Sequence, residues 1–307
     1  MSPPMIDAVA AAPTPTPQPA PAPADDARAQ VVHTRVARAI AGEHMFFGYR
    51  VGGELAGNES FWSLFSLAIG HRRLSADESG LLDDLNGAQM CGDPRIQPLK
   101  LARMVASRGG AVAGCAAGLL MVERSMIGPG CLEHGARLLA TVEAALDGAE
   151  PSDGAVAAAL ERTTYATARQ LPGFGVPFRD RDERLPALRR CLHARGRDGL
   201  RFVQVHDAVV RVIQARRRLT GNASLTAAAM LLDLGFAPAQ CGLVGVALGV
   251  TYFLANSLEG AAQQHPALQT MPAQWTRYVG PPPRETRRAR AARDAATTGH
   301  DDHGGAR

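Results

Sequence analysis

The side chains of this chain that could do chemistry most directly are its five cysteines, because a thiolate can act as a nucleophile or as a metal ligand. Their number is odd, they are scattered, and no Cys-x-x-Cys pair occurs. This pattern predicts neither a disulfide framework nor a metal site, and it favours reduced thiols in a cytoplasmic protein. Cys131 could serve as a nucleophile, but no base nearby in the sequence would activate it, so an inert thiol is favoured.

A glycine-rich loop is the most informative stretch of the chain. It spans residues 171–179, carries Gly173 and Gly175, and is followed at once by Asp182 and Arg184. Glycine permits backbone angles that are closed to other residues. Both glycines are therefore expected to set the shape of the loop, whether or not a reaction takes place beside it.

The composition predicts a soluble protein with a large core. The chain has 307 residues, of which 46% are hydrophobic and 20% charged, enough for one or two domains. Its net charge is +4, which could indicate nucleic-acid binding, but Lys100 is the only lysine among 33 basic residues. Such a bias towards arginine, with so much alanine, is typical of a GC-rich genome, and no nucleic-acid partner is predicted.

One uncharged run, between Asp233 and Glu259, is the closest candidate for a membrane span. It contains Pro238, Asn256 and several glycines, which favour a buried core helix, and no membrane partner is predicted. The glycines would let another helix approach closely, in a core or at a dimer seam. Disordered tails are predicted at residues 1–29, rich in proline and alanine, and at 284–307, rich in arginine.

The body of the chain is predicted to be all-α. An apolar face recurs at Phe61, Leu64, Phe65 and Ala68, and residues 75–78 form a capping box before the next helix. A short strand pair is predicted around 46–51. Further helices are predicted near 98–107, 111–123, 134–148, 153–170, 184–195, 199–218, 224–234 and 239–263.

The chain resembles the citrate synthase and citryl-CoA lyase family. The loop is similar to the family's Gly-x-Gly-His-Pro followed by Asp-Pro-Arg, with the glycines, Pro177 and Arg184 in place. Other similar segments, in the family's order, are Gly48-Tyr49-Arg50-Val51, Leu101-Ala102-Arg103 with Ala106-Ser107, Ala116 to Leu120, and Arg277-Tyr278-Val279-Gly280-Pro281. The resemblance covers roughly residues 35 to 283.

The resemblance implies a large helical domain closed by a smaller one, with the site in the cleft between them. The family order places the large domain at residues 30–136 and 230–283, and the small domain at 137–229. It also implies a homodimer, which the long uncharged helix through Gly242 to Leu258 favours, since such a helix needs partners on more than one face.

The chemistry that the resemblance implies is Claisen condensation, or its reverse, on an acyl-CoA. A carboxylate removes a proton beside the thioester, one imidazole stabilises the enol, and a second imidazole polarises the carbonyl under attack. The ligands implied are a CoA thioester, as substrate and not as a permanently bound cofactor, and a small carboxylic (oxo) acid.

Two of the implied catalytic positions lack the family's groups. Val176 stands where the second imidazole belongs, and its side chain can neither donate nor accept a proton. Asn222-Ala223-Ser224 aligns with the family's Asn-x-Asp, so Ser224 replaces the carboxylate base. A serine hydroxyl has no useful basicity near neutral pH without a partner base.

The first imidazole has two possible positions. Counting from Ile127-Gly128 without a gap places Cys131 there, whereas a three-residue insertion aligns His134-Gly135-Ala136 with the family's His-Gly-Gly-Ala. We favour His134, with an ordinary solvated histidine near a helix start as the competing interpretation.

Arg184 occupies the arginine of Asp-x-Arg, which in the family holds a substrate carboxylate through a bidentate fork. A surface arginine at a helix start is the competing interpretation. Two functions stay open: a family enzyme with rearranged catalytic groups, or a non-catalytic relative that keeps the dimeric shell and binds CoA esters or an active paralogue.

Overall fold

The structure is a computed structural model in which the chain divides into two compact units, residues 1–72 and 73–307. The described residues are 33–40, 42–70, 72–90, 92–122, 128–176, 180–264 and 270–298. The tail predicted to be disordered at residues 1–29 therefore lies outside them, as do Cys91, Ile127 and Pro177.

The first unit contains a small antiparallel sheet in the order β1-β2-β3. Its strands are β1 (Ala37–Ile40), β2 (Glu43–Phe46) and β3 (Tyr49–Arg50), followed by a π-helical turn at Val51–Leu55 and by α1 (Phe61–Gly70). The predicted strand pair is thus present and gains a third strand. Phe47 and Gly48 join β2 to β3 with positive φ angles of 47° and 86°, a two-residue turn whose twist matches that of the strands.

The buried face of α1 differs from the predicted one. Phe61, which was placed on the apolar face, is 65% exposed, whereas Trp62 and Ser63 are buried. The hydroxyl of Ser63 donates a hydrogen bond of 2.5 Å to Glu59, so its burial leaves no polar group unsatisfied. The prediction failed because it considered apolar residues alone, and a hydrogen-bonded serine can also be buried.

The regular elements among the described residues of the second unit are helices, as predicted. Its helices are α2 (Ala76–Gln89), α3 (Gln97–Gly109), α4 (Ala111–Val122), α5 (Pro129–Leu146), α6 (Asp153–Glu161), α7 (Leu185–Ala194), α8 (Arg201–Arg217), α9 (Ala223–Asp233), α10 (Pro238–Ala261) and α11 (Arg287–Thr298). The predicted capping box opens α2. The Ser75 hydroxyl accepts the Glu78 N–H at 3.2 Å, and the Glu78 carboxylate accepts the Ser75 N–H at 2.8 Å.

Helix α10 packs against α3, α4 and α5 of the same chain. A Cβ placed on Gly245 would lie 2.7 Å from Leu132 and 2.9 Å from the Cα of Pro129, so the approach to α5 requires glycine. The small residues of α10 therefore serve a core within the chain. By length and composition α10 could cross a membrane, and half of its apolar window is buried inside the structure.

Two segments differ from the predicted helices. Helix α5 begins at Pro129 and not at residue 134, because proline fits the first helical position. Helix α6 ends at Glu161 and does not reach residue 170, since Arg217 takes the carbonyls of Ala166 and Ala168, each at 2.6 Å.

The C-terminal segment, predicted to be disordered from residue 284, contains the exposed helix α11. Alanine and arginine are strong helix formers, and the Thr286 hydroxyl accepts the N–H of Ala289 at 3.2 Å, which caps its first turn. The predicted domain borders at 136/137 and 229/230 fall inside α5 and α9, and the division into a large and a small domain stays a prediction.

Candidate functional site

The glycine-rich loop lies against the segment that leads into α9. Gly175 donates its N–H to the carbonyl of Thr220 at 2.9 Å, and Asn222 donates its N–H to the carbonyl of Gly173, also at 2.9 Å. These backbone bonds join two segments that lie more than forty residues apart. The loop is therefore fixed relative to the start of α9.

Asn222 links the loop and the helix through its side chain. Its Oδ1 accepts the N–H groups of Ser224 at 3.0 Å and Leu225 at 3.2 Å, the arrangement of an N-cap, while its Nδ2 donates to the carbonyl of Gly175 at 2.9 Å. Ser224 is half-buried in the first turn of α9. An asparagine just before an apolar helix is the sequence signal that predicts such an N-cap.

Leu225 is the point where three elements meet. A Cβ on Gly173 would lie 2.6 Å from the Cβ of Leu225, and a Cβ on Gly135 would lie 3.4 Å from its Cδ1. Gly135 follows His134 in α5, and Leu225 follows Ser224 in α9. The backbones that carry His134, Ser224 and the loop are thus brought together.

Gly173 is expected to be required by this packing. Gly173→Ala should lower the free energy of unfolding by about 2–4 kcal/mol, because φ is +81° and the new methyl group would overlap the Cβ of Leu225. Gly175→Ala is the matched control: its φ is +78°, but no atom lies within 4 Å of the new Cβ, so about 1–2 kcal/mol is expected. Chemical denaturation measures both, and equal losses would contradict the close contact.

Asp182 and Arg184 form a bidentate ion pair at the start of α9. The Arg184 Nε donates to Asp182 Oδ1 at 2.8 Å, and its Nη2 donates to Oδ2 at 2.7 Å. Asp182 Oδ2 also accepts the N–H of Ala223 at 2.8 Å. Burial alone would raise the pKa of Asp182, but the hydrogen bonds from Arg184 and from Ala223 outweigh it, so this pKa lies below its ordinary value.

The ion pair gives Arg184 a role that the sequence did not predict, which is to position the N-terminus of α9. Its Nη1 donates to Gln89 Oε1 at 2.8 Å, and Gln89 Nε2 reaches the carbonyl of Ala223 at 3.4 Å. The Asp182 side chain has no exposed surface, and that of Arg184 is only 20% exposed. The fork expected to hold a substrate carboxylate is therefore occupied by Asp182, and Arg184 helps to fix the N-terminus of α9.

Cys131 and His134 differ in accessibility. Because α5 begins at Pro129, Cys131 lies in its first turn and His134 in its second, and neither is a free loop residue. Cys131 is 6% exposed, whereas His134 is exposed. Of the two, only His134 offers its side chain to a ligand, so it stays the candidate for the first imidazole.

Val176 is half-buried at the end of the described part of the loop. Together with Ser224 it leaves two of the three implied positions without an acid or base near neutral pH. Asn256 in α10 serves the fold: its buried side chain donates to the carbonyl of Gly92 at 3.0 Å and accepts from Arg103 at 3.3 Å. Among the described residues no group of histidine, cysteine, aspartate and glutamate could hold a metal ion.

Comparison with known structures shows the fold. The chain is similar to the citryl-CoA lyase from Hydrogenobacter thermophilus, with a TM-score of 0.67 and 22% sequence identity over 84% of this chain and 98% of that one. The predicted all-α fold of the citrate synthase and citryl-CoA lyase type is thereby confirmed.

Two ATP citrate lyases are also similar, and this chain covers 43% of their length. A variant from Methanosaeta concilii, in complex with (3S)-citryl-CoA, and the enzyme from Methanothrix soehngenii, in complex with citrate and coenzyme A, each match with a TM-score of 0.59 and 14% identity over 84% of this chain. No protein-family model and no curated protein sequence matches the chain.

Proposed function

We propose that this protein binds a CoA thioester together with a small carboxylic acid beside the loop 173–176 and the start of α9. The observation that carries the proposal is the meeting of three elements at Leu225, which gathers the backbones of His134, Gly173 and Ser224 in a chain with the fold of a citryl-CoA lyase. The chemistry that this arrangement suits is Claisen-type formation or cleavage of a carbon–carbon bond.

A second function, binding without catalysis, is favoured by Val176 and Ser224. Removal of a proton beside a thioester needs a base, and neither of these side chains supplies one near neutral pH. With this function the protein keeps the dimeric fold of the enzyme and binds CoA esters or an active paralogue. His134 is then a ligand contact, not a catalytic group.

Proton exchange separates the two functions. The protein is incubated with acetyl-CoA in deuterated water, the methyl protons are followed by NMR, and binding is measured by calorimetry. Binding with exchange would support the enzyme, and binding without exchange the non-catalytic protein. Absence of acetyl-CoA binding would contradict the enzyme and would leave only the binding of an active paralogue as the non-catalytic function.

A variant that restores the two missing groups tests whether positions 176 and 224 face one ligand. The double variant Val176→His, Ser224→Asp is expected to raise the exchange rate above that of the wild type, because it returns an imidazole and a carboxylate to the implied positions. The single variant Ser224→Asp is the control for a carboxylate added alone. If the double variant binds acetyl-CoA but exchanges no faster than this control, the two positions do not face one ligand.

We also propose a homodimer formed through α4 and α10. These two helices contact each other, and both carry exposed apolar side chains. Leu120 on α4 is 75% exposed, and Leu254 and Leu258 on α10 are 44% and 69% exposed. Exposed apolar side chains on two neighbouring helices favour an interaction surface.

The dimer can be tested by charge substitution. Leu254→Glu with Leu258→Glu should convert a dimer into a monomer in light scattering at micromolar concentration, because two carboxylates would be buried at the interface. Gln204→Glu, on an exposed face of α8, is the control and should stay dimeric. A wild type that is already monomeric would contradict the proposal and make a paralogous partner the better explanation of the patch.

A further inference from the structure

A cavity of about 350 Å³ lies between α7, α8 and the first turn of α9. Leu185 and Val210 supply apolar wall, and the polar wall includes Arg189, His206, Asp207, Arg211 and Thr226. The site proposed above uses none of the side chains of Arg189, His206 and Asp207, although both sites adjoin the start of α9.

His206 forms a fixed, uncharged part of the wall. Its Nδ1 lies 2.7 Å from Asp207 Oδ1 and its Nε2 lies 3.0 Å from the hydroxyl of Thr226. A carboxylate can only accept, so Nδ1–H donates to Asp207 and Nε2 accepts from Thr226. Burial, followed by the charge of Arg189, lowers the pKa of His206 to about 3, so the imidazole is neutral and both its nitrogens are used within the protein.

Arg189 and Asp207 form an ion pair in which one nitrogen contacts one oxygen. Arg189 Nη2 donates to Asp207 Oδ1, the same oxygen that His206 uses. Within the part of the chain that the structure describes, Asp207 Oδ2 accepts no hydrogen bond, and the other N–H groups of Arg189 donate none. Arg184, in contrast, closes a bidentate pair with Asp182.

We propose that this cavity binds an α-amino acid with an apolar side chain. Arg189 then holds the carboxylate through its unused N–H groups, Asp207 Oδ2 accepts from the ammonium group, and the side chain lies against Leu185 and Val210. An amino acid suits the pair because each of its charges meets one that the protein has already placed. This proposal is independent of the CoA thioester site.

Three ligands with the same apolar side chain test the proposal on the intact wild-type protein. L-Leucine, isocaproate (which lacks the ammonium group) and isoamylamine (which lacks the carboxylate) are titrated by calorimetry. Leucine is expected to bind, and each analogue should bind about tenfold or more weakly, because one charged hydrogen bond is lost. Leucine that does not bind at millimolar concentration, or isocaproate that binds as tightly as leucine, would overturn the proposal.

Variants locate the contacts. Arg189→Gln and Asp207→Asn should each weaken leucine binding about tenfold or more, while Arg190→Gln, at the exposed neighbouring position on α7, should leave it unchanged. Circular dichroism checks that each variant is folded. Folded Arg189→Gln protein that binds leucine as the wild type does would place the ligand elsewhere and overturn the assignment.

Discussion

Arg184→Ala is expected to lower the free energy of unfolding by about 3–5 kcal/mol, because it leaves the buried carboxylate of Asp182 without its bidentate partner. Urea denaturation measures the loss. Arg181→Ala, at an exposed position three residues earlier, is the control and should change stability by less than about 0.5 kcal/mol.

A double-mutant cycle separates the structural role of Arg184 from substrate binding. Asp182→Asn removes the buried charge, so Arg184→Ala should cost less in this background than in the wild type. The resemblance implied a direct contact between Arg184 and a substrate carboxylate. An Arg184→Ala protein with unchanged stability and weaker dicarboxylate binding would favour that contact over the structural role.

Wild-type stability is expected to fall as the pH is lowered from about 6.5 to about 3, because of His206. In the unfolded chain this imidazole takes up a proton near its ordinary pKa of 6.5, whereas in the folded protein its pKa is about 3. Between these values only the unfolded state is protonated, so the free energy of unfolding should decrease by about 1.4 kcal/mol per pH unit. Above pH 6.5 His206 should have no such effect.

His206→Asn isolates this contribution. The difference in unfolding free energy between wild type and variant, measured from pH 7 to pH 4, should change with about the slope given above. The lowered pKa of Asp182 reduces the free energy of unfolding only below pH 3.8, its ordinary pKa. The raised pKa of Asp233 has the opposite effect on that free energy. Because both aspartates are present in both proteins, their contributions cancel in the difference. Parallel curves for the two proteins would contradict a neutral, buried His206.

The local elements of this protein are determined by its sequence. Apolar periodicity, the capping box at Ser75 and the turn at Phe47-Gly48 depend on residues a few positions apart, and short-range sterics and hydrogen bonds are sufficient to form them. The resemblance of the glycine-rich loop also led to the correct fold. Two errors arose at helix ends, where Arg217 takes carbonyls far away in the chain and a proline opens α5 earlier than predicted. The other two concerned the buried face of α1 and the helix α11 in a segment predicted to be disordered.

Only the tertiary structure decided which partner each polar group takes. Asp182 occupies the fork of Arg184, Leu225 requires glycine at position 173, and His206 is neutral because it is buried between Asp207 and Thr226. Burial and hydrogen bonding set the charge and availability of a side chain, and both depend on residues that the fold brings together from distant positions. The sequence therefore determined which helices exist and which fold they build, while packing determined which of the candidate residues are still available to a ligand.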